Sequence, residues 1–300
     1  MTKAVFTTKV EPTYDDLPEI KYHFPKSYLG AAERAVGDWI VYYEPRRTSG
    51  DPSSHGGRQA YFATARVTAI EPDPNREDHF YAFVTDYLDL DRPVPFREGS
   101  HYYEAALQRD DGGTSKGAFG RALRLLPEDE YDLILRAGFA PLLAQPARWT
   151  EGYDIPGAAE EPATFERPII ESIVARPFRD AAFARQVKAA YDNTCAVTRI
   201  KLINGGGRAE VQAAHIRPVQ KKGPDSVRNG VALSGTIHWM FDRGLISIDD
   251  DYKILVARDR VPDTVARLID VERGLYLPRS NELWPHLQFI RYHRREVFKG

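Results

Sequence analysis

Four side chains in the last third of this 300-residue chain have types and spacing suited to chemistry on a phosphodiester. His215 stands in the run Ala213-Ala214-His215-Ile216-Arg217-Pro218. Asn229 follows fourteen residues later, His238 nine beyond that, and Asp242 four further on. An imidazole titrates near neutral pH, so His215 can serve as a general base that removes a proton from water. On a helix, His238 and Asp242 are i,i+4 neighbours that project from one face and can hold one divalent cation. Asn229 can hydrogen-bond across the intervening loop and fix His215 and the turn. A base, a metal and a nearby basic surface are the parts that phosphodiester hydrolysis needs. Each signal alone also fits a blander reading, a satisfied core histidine or a surface pair; together, in register, they favour chemistry.

Cations surround this constellation: Arg208, Arg217, Lys221, Lys222, Arg228 and Arg243. Arg217, Lys222, Arg228 and Arg243 are the expected phosphate contacts, with Arg217 nearest the cleavage point. The C-terminal run Phe289–Gly300 holds Arg291, Arg294, Arg295 and Lys299 against one acid, Glu296. Phosphate contact and a solvated helix face are both open readings of that tail.

The elements that must position these residues follow from local pattern. Apolar residues at 178, 183, 187 and 191 predict a helix over 177–191 that stops at Asp192-Asn193. Two short strands, 196–202 and 209–214, are expected across the Gly205-Gly206-Gly207 loop, then an irregular polar stretch over 221–230. A short helix is expected from about Ser234 to Asp242, with Gly244 just past its end.

With these residues in view, the segment from about 178 to 250 resembles the ββα-metal core of HNH endonucleases. The flanking Cys195-Ala-Val-Thr198 and Phe241-Asp-Arg-Gly-Leu-Ile-Ser-Ile248 add to the likeness. The resemblance implies His215 as general base, Asn229 as the middle motif residue, and His238 as the final motif histidine, binding metal with Asp242. The implied cofactor is Mg²⁺ or Mn²⁺. Two departures stand out. Many members place a ligand just before the base, where this chain has Ala214; and Cys195, the single cysteine, cannot form the paired-cysteine zinc site that many members carry.

Composition sets the wider frame. Hydrophobic residues at 42% and charged residues at 28% describe an ordinary globular protein, long enough for about two domains. The net charge of -2 conceals an asymmetry: residues 1–150 sum to -5, 151–167 to -4 and 168–300 to +7. Gly152, Pro156, Gly157 and Pro162 make 151–167 read as a linker, so the expected domains are 1–150 and 168–300. With one cysteine, no membrane-length apolar run and no signal-peptide core, a cytoplasmic chain is expected.

Residues 1–150 read as α+β with a β core: strands over 39–43, 60–70 and 80–84, and a helix over 128–137. Gly37-Asp-Trp-Ile-Val-Tyr-Tyr-Glu-Pro45 and Gly57-Arg-Gln-Ala-Tyr-Phe-Ala-Thr-Ala-Arg-Val67 resemble the PUA superfamily, with EVE-type, SRA and ASCH domains as cousins. The implied fold class is α+β, a PUA-like β-barrel with flanking helices followed by a ββα-metal nuclease domain. Reading a modified base requires extruding it and holding it between aromatic faces, with a polar group on its Watson–Crick edge. Tyr28, Trp39, Tyr43, Glu44 and Asp86 are the candidates, Trp39 and Tyr43 foremost, and each of those two taken singly fits a barrel-core aromatic better. The expectation is a modification-dependent restriction endonuclease acting on double-stranded DNA with a modified cytosine, with dimerisation as a route to cutting both strands. A non-cleaving binder of modified DNA and an RNA-directed nuclease are the alternatives.

Overall fold

A computed structural model of the chain describes residues 2–9, 15–48, 51, 53–144, 174–269 and 274–300. The expected linker, 151–167, lies outside the described residues. The chain divides into two units, Met1–Arg179 and Asp180–Gly300. Among the described residues no helix is long and apolar enough to cross a membrane.

In unit 1 the elements are β1 (Lys3–Thr7), β2 (Lys21–Pro25), α1 (Leu29–Arg34), β3 (Trp39–Glu44), β4 (Ala60–Pro72) and β5 (His79–Pro95). A short hairpin, β6 (Arg97–Glu98) and β7 (His101–Tyr102), leads to α2 (Lys116–Phe119), β8 (Leu123–Leu126), α3 (Glu128–Gly138) and α4 (Ala140–Leu143). Six strands form one mixed sheet in the order β2-β5-β4-β3-β1-β8, with β1 and β3 parallel. Among the described residues β2 and β8 lie at its edges, so the sheet there is an open, curled half-barrel and not the closed barrel expected.

The Gly37-Asp38 turn launches β3 as its sequence suggests. Gly37 takes φ +83°, which costs a glycine little, while Asp38 accepts from the Trp39 amide at 2.8 Å and holds the Lys3 ammonium. All six residues of β3 are buried, so both faces of the sheet are covered there. Ile40 and Tyr42 join Phe6, Tyr22 and Phe24 in the inner core. On the alternate face, Thr64 meets the hydroxyl of Tyr131 from α3 at 2.7 Å.

Unit 2 opens within α5 (Arg176–Ala190). The apolar positions expected on this helix, Phe178, Phe183 and Val187, and the following Tyr191, are all buried. Then come β9 (Gln212–His215), β10 (Gly230–Leu233), α6 (Gly235–Asp242), β11 (Ile246–Ile248), β12 (Ile254–Val256), α7 (Asp263–Ala266) and α8 (Leu287–Glu296). β9 and β10 pair antiparallel with His215 opposite Gly230. The strand expected over 196–202 does not form. Arg199 takes φ +59° and its amide returns to the Cys195 carbonyl at 2.9 Å, a turn that breaks an otherwise β-prone run. The partner of β9 is β10 instead.

Two glycines bring this core together. A Cβ on Gly230 would lie 2.5 Å from Val187 Cγ2 and 3.0 Å from the Phe183 ring, so only glycine lets β10 approach α5. Gly244 ends α6 at φ +71°, where a Cβ would lie 2.0 Å from the Val297 carbonyl oxygen. α8 buries Phe289, Ile290 and His293. Its cations are engaged within the protein: Arg291 and Arg294 pair with Asp250 at 2.8 and 2.7 Å, and Arg295 with Glu296 at 2.6 Å.

Candidate active site

The β9–β10 pair and α6 place the four sequence-selected residues at one strand end, one loop and one helix. His215 closes β9 with 18% of its side chain exposed. Its ring stacks on Phe183 with centroids 3.8 Å apart and planes 11° from parallel. Its Nε2 lies 2.9 Å from Oδ1 of Asp225, whose side chain is 2% exposed. A carboxylate accepts, so the Nε2 proton is held there, and the lone pair falls to Nδ1. That is the tautomer a general base needs. Asp225 was not selected from the sequence; it lies in a loop that carries no periodic signal.

Asn229 is fully buried in the loop between β9 and β10. Its Oδ1 accepts from the Arg217 amide at 2.9 Å, and its Nδ2 donates to the carbonyls of Arg217 at 3.0 Å and Pro224 at 2.9 Å. Every one of these partners is backbone. Asn229 therefore clamps the chain just beyond His215 to the segment just before Asp225, while the imidazole itself is held by the carboxylate.

α6 carries His238 and Asp242 one turn apart, with His238 Nε2 and Asp242 Oδ2 separated by 3.5 Å. Gln212, on β9, places its Oε1 2.8 Å from His238 Nδ1. An amide oxygen accepts only, so Nδ1 donates and Nε2 keeps its lone pair on the side of Asp242. Two ligand atoms at 2.0–2.2 Å from one cation lie roughly 3 Å apart at right angles, so this pair fits a divalent ion with positions left for water. Among the described residues no group of three or more His, Cys, Asp or Glu side chains is placed to hold a metal ion. His238 and Asp242 are a pair that could hold one, and an ion there would supply Lewis-acid stabilisation of negative charge on a phosphate. The start of α6 is secured by Glu210, whose Oε1 accepts from the Gly235 amide at 2.9 Å in place of a Ser234 side-chain cap.

Residues 195–249 match the HNH endonuclease family model. They form an HNH endonuclease domain. Comparison with curated proteins gives no match. Among solved structures, one described as the modification-dependent TagI restriction endonuclease is similar at 15% identity, over 98% of this chain and 81% of that one, with a TM-score of 0.32. Another, the Type IV phosphorothioation-dependent restriction endonuclease ScoMcrA, is similar at 14% identity over 98% of this chain and 53% of that one, with a TM-score of 0.19.

Around the HNH site the expected phosphate contacts differ in freedom. Arg243 and Lys222 are exposed, the latter in the left-handed region at φ +61°. Arg217 is half-buried: its Nε donates to the Lys221 carbonyl at 2.7 Å and its guanidinium lies 5.0 Å from the Tyr292 ring. Arg228 is half-buried, and its carbonyl accepts from the His286 amide at 2.9 Å. Trp239, beside His238, is 58% exposed, an aromatic the sequence reading passed over.

The base-pocket candidates of unit 1 occupy different surroundings. Tyr28 is half-buried against the inner core, and its hydroxyl accepts from the Ala122 amide at 3.2 Å. Trp39 is buried at the start of β3. Near the end of β3, Tyr43 has its ring packed by Tyr61 and Phe119 with centroids at 5.2 and 5.5 Å. Glu44 is buried and bound by the Arg58 amide at 2.9 Å and by its guanidinium. Asp86 is exposed on β5 at φ +54°, and its carbonyl accepts from Arg179 at 3.1 Å. In this conformation Trp39, Tyr43 and Glu44 are packed within unit 1.

A polar cluster adjoins Tyr43. Arg124 makes a two-pronged pair with buried Glu104 at 2.8 and 2.7 Å, and Tyr61 donates to the same carboxylate at 2.6 Å. The Arg124 guanidinium lies 5.6 Å from the Tyr43 ring centroid. The Tyr43 hydroxyl is buried with no hydrogen-bond partner among the described residues, and burial raises its pKa above the ordinary phenol value.

Proposed function

We propose that the protein is a modification-dependent DNA endonuclease, in which unit 1 holds an extruded modified cytosine and the HNH domain hydrolyses a phosphodiester nearby. One observation carries the nuclease half: His215, its tautomer set by Asp225, lies one residue beyond Ala214 on the β9–β10–α6 frame that also bears the His238–Asp242 pair. In the proposed reaction Nδ1 of His215 takes a proton from water, the resulting hydroxide attacks phosphorus in line with the 3′ oxygen, the P–O3′ bond breaks, and the departing oxygen takes a proton from solvent. Arg217, Arg243, Lys222 and Arg228 hold flanking phosphates. Mg²⁺ or Mn²⁺ is the proposed cofactor at His238 and Asp242.

Base reading rests on the aromatic and polar cluster of unit 1. The Tyr43 hydroxyl, unpartnered among the described residues as that of Tyr42 is, has hydrogen-bonding capacity to offer an incoming base. Tyr28, Trp39, Glu44 and Asp86 remain candidates that flipping would have to bring to it. One HNH site cuts one strand, so a double-strand break calls for a homodimer or two successive events.

The second reading, a binder of modified DNA that does not cut, is favoured by Ala214 at the position before the base and by a metal pair in place of a triad. Incubating plasmids that carry plain, methylated or hydroxymethylated cytosine with Mg²⁺ or Mn²⁺ separates the two. Cleavage of modified plasmid alone supports the first reading; equal cleavage of all three removes the modification; binding without cleavage supports the second.

A further inference from the structure

A cleft of about 450 Å³ lies in the HNH unit between α5 and the Leu202–Gln212 arm, within the range of sites that hold small ligands. Its walls combine Lys188, Arg208, Leu202, Ile203, Asn204 and Gln212. Leu202 is 56% exposed and Ile203 48%, an unusual pair of aliphatic side chains left in water. Gln212 belongs to both places, since its Oε1 meets His238 Nδ1 at 2.8 Å. The cleft therefore runs up to the metal-binding end of the HNH site.

We infer that this cleft seats one nucleotide of the strand being cut, adjacent to the scissile phosphate. The proposal rests on the nuclease reading above. Its occupant follows from the chemistry of the walls. Two cations, Lys188 and Arg208, are gathered at one cleft, and its acid, Glu210, has its Oε1 directed at the Gly235 amide at 2.9 Å. Partial burial, and then the like charge of Arg208, lowers the Lys188 pKa from the ordinary lysine value, against the opposing charge of Glu210. A backbone phosphate answers that charge. The exposed faces of Leu202 and Ile203 offer an apolar platform for the sugar or the base, which a bare phosphate would not use. The Asn204 carboxamide braces the arm, accepting from the amides of Gly206 at 3.0 Å and Arg208 at 2.8 Å, so the platform is held in shape before a ligand arrives.

The test is equilibrium binding of the full chain to a short fluorescein-labelled duplex carrying 5-methylcytosine, in EDTA, over a salt series. Arg208→Ala should weaken binding several-fold and flatten the log–log salt slope by about one. Leu202→Ser should weaken binding about tenfold with the slope unchanged. Both residues are exposed, and matched thermal melts guard against misfolding. Unchanged affinity and slope in both variants overturn the cleft while the nuclease reading stands on cleavage by the unaltered protein. If the unaltered protein binds but never cuts, and the variants still lose affinity, the nuclease reading fails, and the cleft stands as a nucleotide seat but not as one beside a scissile phosphate. An unaltered protein that binds no duplex overturns both.

Discussion

His215 Nε2 and Asp225 Oδ1 lie 2.9 Å apart, with the carboxylate buried and the imidazole partly open. A buried anion beside an imidazole fixes which nitrogen carries the proton and stabilises the ring once it becomes charged. Replacing Asp225 by Asn keeps the size and removes both effects. Asp225→Asn should lower kcat by about 10²- to 10³-fold while leaving the affinity for uncut duplex within about twofold. Steady-state kinetics beside binding in EDTA check this; an equal loss in both would make Asp225 a folding residue.

Gln212 holds His238 through Nδ1 and leaves Nε2 toward Asp242. Loss of such an orienting partner usually costs 10–100-fold in metal affinity. Gln212→Ala should therefore raise the Mn²⁺ concentration for half-maximal cleavage by about that factor and leave the rate at saturating metal within about threefold. A titration of rate against Mn²⁺ reads the difference.

Gly230 is where β10 touches α5, and a methyl there meets Val187 and the Phe183 ring that supports His215. Gly230→Ala should cost about 1–3 kcal/mol of stability through overpacking and reduce activity beyond that loss, because the imidazole loses its seat. Urea unfolding followed by assays under fully folded conditions separates the two effects.

The Glu104–Arg124 pair is buried in unit 1 with Tyr61 on the same carboxylate. Removing one partner strands the other charge. Glu104→Ala should destabilise by about 3–5 kcal/mol, seen as a clear fall in Tm. Substitution of both Glu104 and Arg124 by apolar residues should cost less than Glu104→Ala alone.

His293 donates from Nε2 to the Phe241 carbonyl at 3.0 Å and meets Ser247 Oγ through Nδ1 at 2.9 Å. Burial lowers its pKa from 6.5 to about 4. Because the folded pKa lies below the unfolded one, its contribution is complete above about pH 6.5 and is lost as pH falls toward about 4. The loss should be on the order of 3 kcal/mol. Urea unfolding at pH 7 and at pH 5 should show about 2 kcal/mol of it, the remainder falling below pH 5, and His293→Asn should flatten the dependence.

Much of the site was legible because its spacing is local. His215, Asn229, His238 and Asp242 fall on one strand, one loop and one helix in sequence order, and each element has its own signal: the apolar run at 213–216, the polar stretch to Gly230, and the Ser234–Gly244 bracket. What escaped depends on contacts that no periodicity encodes. Asp225 reaches His215 only because Asn229 folds the loop back by three backbone hydrogen bonds. β10 was hidden because it begins at a glycine, a poor strand former kept there for its lack of a side chain. β5 runs from His79 to Pro95, well past the expected 80–84, because register shifts against β4 and the positive φ at Asp86 carry it through Asp and Pro positions that read as breaks. The base pocket was least legible, because aromatic residue types suit the core of a half-barrel as well as a ligand cage, and packing decides between them.

The measurement that tests the central claim most directly is nicking of supercoiled plasmid containing modified cytosine, with Mg²⁺ or Mn²⁺, by the unaltered protein and by His215→Ala. The unaltered protein should nick this plasmid and spare the unmodified one, and His215→Ala should bind it with similar affinity but not cut. Nicking by His215→Ala at the unaltered rate would contradict it.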